Sequence, residues 1–227
     1  MSKTQFPKLI FTIYLLSLTA LLGGCLYYDE MPNHSSTAEI SFIPTQTRTF
    51  VVGAGDSMFI DSNNRLFAWG LNRDGQLGNG STVSSYTPIH VMNNVLSVHS
   101  RGDHTVAIKT DGSLWTWGNN EFGQLGDGTT TNSHRPVRII DNVIYAYAGV
   151  GHTMAITKDN SLWIWGGNNL GHFVPGAETP QLVPVHVMDD VVAISGLNTI
   201  IMAVQSDGTL WGWGRIRPIE NTQFARP

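Results

Sequence analysis

The sequence predicts an all-β protein: a β-propeller built from about four repeats of 48 residues. Three observations predict it. Every tryptophan of the 227-residue chain lies in one recurring motif: Leu66-Phe67-Ala68-Trp69-Gly70, Leu114-Trp115-Thr116-Trp117-Gly118, Leu162-Trp163-Ile164-Trp165-Gly166 and Leu210-Trp211-Gly212-Trp213-Gly214. The closing glycines stand 48 residues apart three times over. Two other sets, Pro88, Pro136, Pro184 and Val95, Val143, Val191, keep the same spacing. A fixed period of this length marks an array of one supersecondary unit. Within the period the pattern is β throughout, and no stretch after residue 24 sustains a 3.6-residue apolar period.

Along the unit, Val95 to Ser100 is a short apolar run, and Thr105 to Lys109 continues with alternation. Asp111-Gly112 then supplies two residues tolerant of positive φ, suited to a two-residue hairpin turn. Asn63-Asn64, Asp159-Asn160 and Asp207-Gly208 stand in the same phase. Leu114 to Trp117 forms the next strand, rich in residues that fit a half-buried pleat. A polar loop runs from Gly118 to about Ser133, and a fourth strand, Pro136 to Ile140, starts at a proline. Four strands per unit make a propeller blade. Shifted back by one period, the proline strand falls on Ile40 to Ile43. As a strand, that segment completes four blades, one of them closed by both termini. Its alternative is a linker.

Several segments resemble the regulator-of-chromosome-condensation repeat: Gly149-x-x-His152-Thr153-Met154-Ala155-Ile156, Asp111-Gly112-Ser113-Leu114-Trp115-Thr116-Trp117-Gly118, and Asn120-Glu121-Phe122-Gly123-Gln124-Leu125-Gly126-Asp127-Gly128. The resemblance covers residues 46–214, about three-quarters of the chain. It implies a propeller, usually of seven blades, in a family of exchange factors for small GTPases, protein inhibitors and interaction modules. About four repeats are incomplete relative to a seven-bladed ring. The fold alone does not choose among these. The pattern decays toward the C-terminus. Gly-Gln-Leu-Gly stands at 75–78 and 123–126, becomes Gly171-His172-Phe173-Val174, and is replaced in the fourth unit by Arg215-Ile216-Arg217-Pro218.

Residues 1–24 read as a lipoprotein signal peptide. Lys3 and Lys8 precede an apolar run from Leu9 to Leu22, short for a membrane span. Leu22-Gly23-Gly24-Cys25 resembles the bacterial lipobox, which assigns lipid attachment to Cys25, the sole cysteine. Three acyl chains at about 0.8 kcal/mol per buried methylene hold a domain stably on a bilayer. The expected address is therefore the cell envelope, and the outer membrane in a Gram-negative cell, since Leu26 stands where an aspartate would resemble a retention signal. Residues 25–45 read as the lipidated N-terminus and tether, 46–214 as the repeats and 215–227 as a C-terminal tail.

Composition narrows the partners. Without residues 1–24 the chain holds 11 basic and 17 acidic residues, a net charge of −6. Only Lys109 and Lys158 remain as lysines, and no basic stripe exists to neutralise phosphates, so nucleic acid is not an expected partner. Catalytic signals are missing too: there is no nucleophile elbow, phosphate loop or zinc spacing. His104 and His152 occupy one register and could face a channel as metal ligands, but Asp56 and Ile200 hold that register in the other units. A hydrogen bond tying strands inside each blade is the expected role, and no metal or cofactor is expected. His90, Arg138 and His186 share a register whose chemistry suggests an outward position.

Trp69, Gly70, Trp117, Gly118, Trp165, Gly166, Trp213 and Gly214 are expected to be structural, the tryptophans packed between blades and the glycines opening sharp exits into the loops. Loops 71–85, 119–133 and 167–181 differ most between units, which places specificity there. The expected function is a non-enzymatic, lipid-anchored module that binds a protein partner, with a homodimer as one route to a closed ring. The alternatives are a guanine-nucleotide exchange factor, an enzyme inhibitor, and a truncated remnant of a longer propeller.

Overall fold

A computed structural model describes residues 49–53, 55–101, 104–167, 180–197 and 200–214. All elements among them are strands. Blade 1 comprises β1 (Thr49–Val52), β2 (Asp56–Ile60), β3 (Leu66–Gly70) and β4 (Ser85–Met92). Blade 2 continues as β5 (Val95–Arg101), β6 (His104–Lys109), β7 (Leu114–Gly118) and β8 (Ser133–Ile140). Blade 3 is β9 (Val143–Ala148), β10 (His152–Thr157), β11 (Leu162–Gly166) and β12 (Gln181–Met188). A three-stranded sheet, β13 (Val191–Leu197), β14 (Ile200–Gln205) and β15 (Leu210–Gly214), forms the fourth unit. Each sheet is an antiparallel meander, and together they make an incomplete propeller. The expected strand at Ile40 to Ile43, the signal peptide, the tether and the tail lie outside the described residues.

The first strands approach one another from blade to blade, β1 to β5 and β5 to β9, whereas the fourth strands lie at the outer edge. That position resolves a difference in the proline strand. Pro88 and Pro136 fall four residues into β4 and β8 rather than starting them. The strand reaches back to Ser85 or Ser133 through an irregular register opposite Ala68–Gly70 or Thr116–Gly118. An outermost strand presents one unpaired side, so a proline without an N–H sits there at little cost.

The hairpin turns also differ from expectation. Only the second residue of each pair is left-handed: Asn64, Gly112, Asn160 and Gly208, with φ of 58°, 83°, 64° and 86°. Lys109 N donates to Ser113 O at 2.9 Å and Gly112 N to Lys109 O at 2.9 Å, which defines a three-residue loop ending in one left-handed residue. Asp111 Oδ1 then caps Ser113 N at 2.9 Å. Two-residue primed turns require positive φ at both central residues, which an aspartate adopts less readily than glycine.

Alternation within strands assigns the two faces of each blade. In β6, Thr105 and Ala107 face the preceding blade, and His104, Val106 and Ile108 face the next one. The core is therefore three layers between blades. Met58, Ile60, Leu66 and Ala68 meet Val98, Ala107 and Trp117. Val106, Ile108 and Leu114 meet Ala146, Ala155 and Trp165, and Met154, Ile164 and Leu162 meet Ile194, Ile201 and Ala203. β10 is buried along its whole length because it has a blade on either side.

Candidate functional site

The repeated residues meet in a latch between blades. The Gln76 carbonyl, in the loop after β3, accepts from Trp117 Nε1 at 2.8 Å and from Thr105 Oγ1 at 3.0 Å, both in the next blade. Forty-eight residues later the Gln124 carbonyl accepts from Trp165 Nε1 at 2.9 Å and Thr153 Oγ1 at 2.7 Å. Leu77 and Leu125 come directly after these carbonyls and are fully buried beside the indoles. Trp117 and Trp165 are wholly buried. Gly78 and Gly126 lie flat on the two rings: a Cβ there would stand 2.7 Å and 2.5 Å from the indole nitrogens.

The loops that carry the latch are built alike. Asn72 Nδ2 donates to the Ser81 and Val83 carbonyls while its Oδ1 accepts from Leu77 N. Asn120 repeats this with Thr129 O, Thr131 O and Leu125 N. Loops 71–85 and 119–133 therefore share a frame through 72–80 and 120–128. They differ at the entry position Leu71 or Asn119, at the tip residues 73–74 and 121–122, at Asn79 or Asp127, and within residues 81–85 and 129–133. At the tips Arg73 and Glu121, one period apart, are exposed. Asn119 and Asn132 of blade 2 both donate to Asp74 of blade 1, which fixes the two loops to one another. Residues 168–179 of the third loop lie outside the described residues.

Gly70, Gly118 and Gly166 end their strands with φ of 111°, 102° and 101°, a conformation that side chains disfavour, and so turn the chain into these loops. Trp69, the blade 1 counterpart of Trp117, is half-buried and donates no Nε1 hydrogen bond among the described residues. Trp213 pairs with Ile201 in the β14–β15 ladder, and Gly214 closes β15 opposite Ile200. Cys25 lies outside the described residues.

His104 and His152 are buried. The His104 bond runs between blades, not within one as expected: Nε2 meets Thr153 Oγ1 at 2.9 Å, and that hydroxyl donates to Gln124 O. The hydroxyl must then accept from Nε2–H, which fixes the tautomer and leaves Nδ1 deprotonated. Burial, with smaller contributions from His152 and His99, pushes the His104 pKa down to about 3, so the ring is neutral at physiological pH. Asp56 serves the same register in blade 1, accepting from Ser100 Oγ at 2.7 Å. Among the described residues no three His, Cys, Asp or Glu side chains are grouped to hold a metal. His90, Arg138 and His186 are exposed, each bonded to the residue three ahead: Asn93, Asp141 and Asp189.

A second polar link, not anticipated from the sequence, lies on the inner strands. Arg101 Nη1 donates to Tyr147 Oη at 2.9 Å, and the Tyr147 hydroxyl donates to the Gly196 carbonyl. His99 stacks on Tyr147 with centroids 4.6 Å apart and accepts from Ala148 N at 3.2 Å. Burial and the Arg101 charge both lower the His99 pKa. The corresponding positions in blade 1 are Val51 and Gly53, so no repeat signal marks this cluster.

Comparisons with known proteins agree with this architecture. A sequence model of the regulator of chromosome condensation (RCC1) repeat matches residues 63–108 and 111–156, and a second model of that repeat matches 143–171. The human regulator of chromosome condensation is 35% identical over 65 residues, 26% of this chain and 15% of that protein. The crystal structure of human WBSCR16 superposes with a TM-score of 0.67 at 23% identity, over 76% of this chain and 48% of that one. The structure of Kap60 bound to yeast RCC1 (Prp20) gives 0.63 at 22% identity, over 76% and 45%. Residues 63–108 and 111–156 match RCC1 repeats, and the described strands fold as blades of that kind. The chain spans about half the length of these solved structures, and its match covers 15% of the human regulator.

Proposed function

We propose that this protein is a non-enzymatic, lipid-anchored repeat module that binds another protein at the cell envelope. The observation that carries the reading is the latch: main-chain carbonyls and buried indoles fix loops 71–85 and 119–133, so their exposed tips form a preorganised surface. Arg73 and Glu121 supply opposite charges there. The Cys25 lipid holds that surface at the membrane, and no helix among the described residues is long and apolar enough to cross one. Yeast Prp20p has been studied for binding to Gsp1p and histones, which supports protein binding as the use of such a propeller. The test is cross-linking in native envelopes with a photoreactive residue at position 73 or 121. One reproducible adduct, lost on Arg73→Glu or Glu121→Lys, is the expected result. The absence of an adduct at both positions would refute the reading. Nucleotide release from a panel of GTPases would instead support exchange-factor activity.

One observation favours a second copy as a further partner. Phe50 and Val52 of blade 1 are 67% and 80% exposed, on the face that blades 2 and 3 bury against a preceding blade. Phe50 stacks on Phe59 with centroids 4.7 Å apart. Phe59 stands where blades 2 to 4 carry Ala107, Ala155 and Ala203, and Gly212 on the opposite face of blade 4 stands where the others carry Ala68, Thr116 and Ile164. The exchange of volume fits blade 4 of one copy against blade 1 of another.

A further inference from the structure

One aromatic ring in each blade faces the preceding blade at the same register: Phe67, Trp115, Trp163 and Trp211. Two of them lie under a cation of their own chain. The Arg65 guanidinium lies over Phe67 at 5.5 Å from its centroid, and Lys109 Nζ lies over Trp115 at 5.5 Å. Trp211 Nε1 donates to Gln205 Oε1 at 2.6 Å. In blade 3 the His186 ring meets Trp163 edge-on with centroids 5.4 Å apart, and no cation lies over the indole among the described residues. The register of Lys109 and Gln205 is held there by Thr157, whose hydroxyl meets Trp163 Nε1 at 3.3 Å and is too short to cross the ring.

The space left is a cavity of about 320 Å³ lined by Asp141, Asn142, Thr157, Lys158, Asp159 and Trp163. Its lining carries two carboxylates and one ammonium. Asp159 is the repeat counterpart of Asp111, whose carboxyl is affected by the Lys109 charge in blade 2. Asp141 adds a second carboxylate at the rim, paired on its other side with Arg138 at 2.7 Å. The lining lysine, Lys158, places its ammonium against Gly112 of the neighbouring blade. Blade 2 thus holds aspartate, indole and ammonium together over one ring, and blade 3 holds the aspartate and the indole with its lining ammonium, Lys158, turned toward Gly112.

We propose that the cavity above Trp163 is a receptor for one lysine side chain of a protein ligand, whose ammonium takes the place that Lys109 takes over Trp115. An ammonium over an indole is attracted by the ring quadrupole, and two carboxylates at the rim strengthen that attraction. The proposal rests on the protein-binding reading and names one group of the partner. It is tested without the partner, so its failure and that of the reading are separable.

The probe is Nα-acetyl-lysine methylamide, whose side-chain ammonium is free, with the norleucine analogue as the neutral control. The readout is the indole ¹⁵N–¹H spectrum of the acyl-free protein, with Trp163 identified through Trp163→Phe. The lysine amide is expected to move the Trp163 resonance saturably, with roughly fivefold preference over norleucine. Thr157→Lys fills the place from within and should abolish the shift, while an unmoved Trp165 resonance reports an intact latch. Lys109→Thr should create a second responsive indole, Trp115. Equal shifts with norleucine, or a shift that survives Thr157→Lys with the latch intact, would overturn the assignment. So would a Lys109→Thr protein in which Trp115 stays silent.

Discussion

Replacing the same tryptophan by phenylalanine in two blades separates the latch from ordinary burial. In Trp117→Phe the indole N–H to Gln76 O is lost, a bond of 2.8 Å worth about 0.5–1.5 kcal/mol. The side chain is wholly buried, so removing the benzo ring leaves unfilled space costing a further ~1–2 kcal/mol. Thr105 Oγ1 still donates to the carbonyl at 3.0 Å, so no buried acceptor is orphaned and no additional penalty arises. The sum is about 1.5–3.5 kcal/mol. Trp69→Phe changes a half-buried ring without such a bond and should cost under ~1 kcal/mol. For a domain of this size each kcal/mol moves Tm by roughly 2–4 °C, so calorimetry of the acyl-free protein resolves the two. Thr105→Val combined with Trp117→Phe removes both donors and should cost more than the sum of the single changes. Equal losses for Trp117→Phe and Trp69→Phe, or strict additivity of the pair, would refute the latch.

The same geometry sets other outcomes. Gly126→Ala combines a φ of +78° with a Cβ 2.5 Å from the Trp165 nitrogen and should cost over ~2 kcal/mol, whereas Gly128→Ala, at +83° with its nearest neighbour 3.9 Å away, should show only the ~1 kcal/mol backbone penalty; thermal melts compare them. His104 titrates near 6.5 when unfolded and about 3 when folded, so the unfolded chain binds the proton first. Stability present above pH 6.5 should fall toward pH 4.5 by on the order of 2–3 kcal/mol, and denaturant melts of His104→Gln should show a shallower fall. Labelled palmitate should enter the wild type and not Cys25→Ser, which should also leave the membrane fraction. Light scattering should show a concentration-dependent dimer of the acyl-free protein that Phe59→Ala weakens at least tenfold, about 1.4 kcal/mol.

What the sequence revealed and what it hid divide along a physical line. Strand positions were legible because burial between two blades imposes one hydrophobic demand on each copy: Leu66, Leu114 and Leu162 are all fully buried, and the period exposes the demand. Turn type was less legible, since Asp111-Gly112 is compatible with both two- and three-residue hairpins and the choice is made by Asp111 capping Ser113. The proline strand began early because an outermost edge tolerates irregular pairing that no residue pattern announces. The latch acceptors were hidden for another reason. Gln76 and Gln124 act through their carbonyls, and a carbonyl leaves no signature in residue type, although the recurrence of Asn72 and Asn120 marks the loop that aims it. The Arg101–Tyr147 link occurs once, so periodicity could not reveal it.

Using main-chain acceptors has a consequence for recognition. The backbone acceptor survives any ordinary substitution, so a loop held by it is free to change its exposed side chains without losing its position. Arg73 and Glu121 illustrate the freedom: identical frames one period apart display opposite charges. A face meant to bind a repeating ligand would keep one side chain at each register, as repeat arrays that read periodic partners do. This face instead carries plus and minus on adjacent blades, tied together through Asn119, Asn132 and Asp74. Opposite charges at fixed separation orient a partner as well as attract it, because a partner rotated by one blade meets like charge with like. The repeat therefore supplies rigidity, and the departures from it supply direction. Under the proposed function, such a surface suits a single asymmetric protein partner held in one orientation.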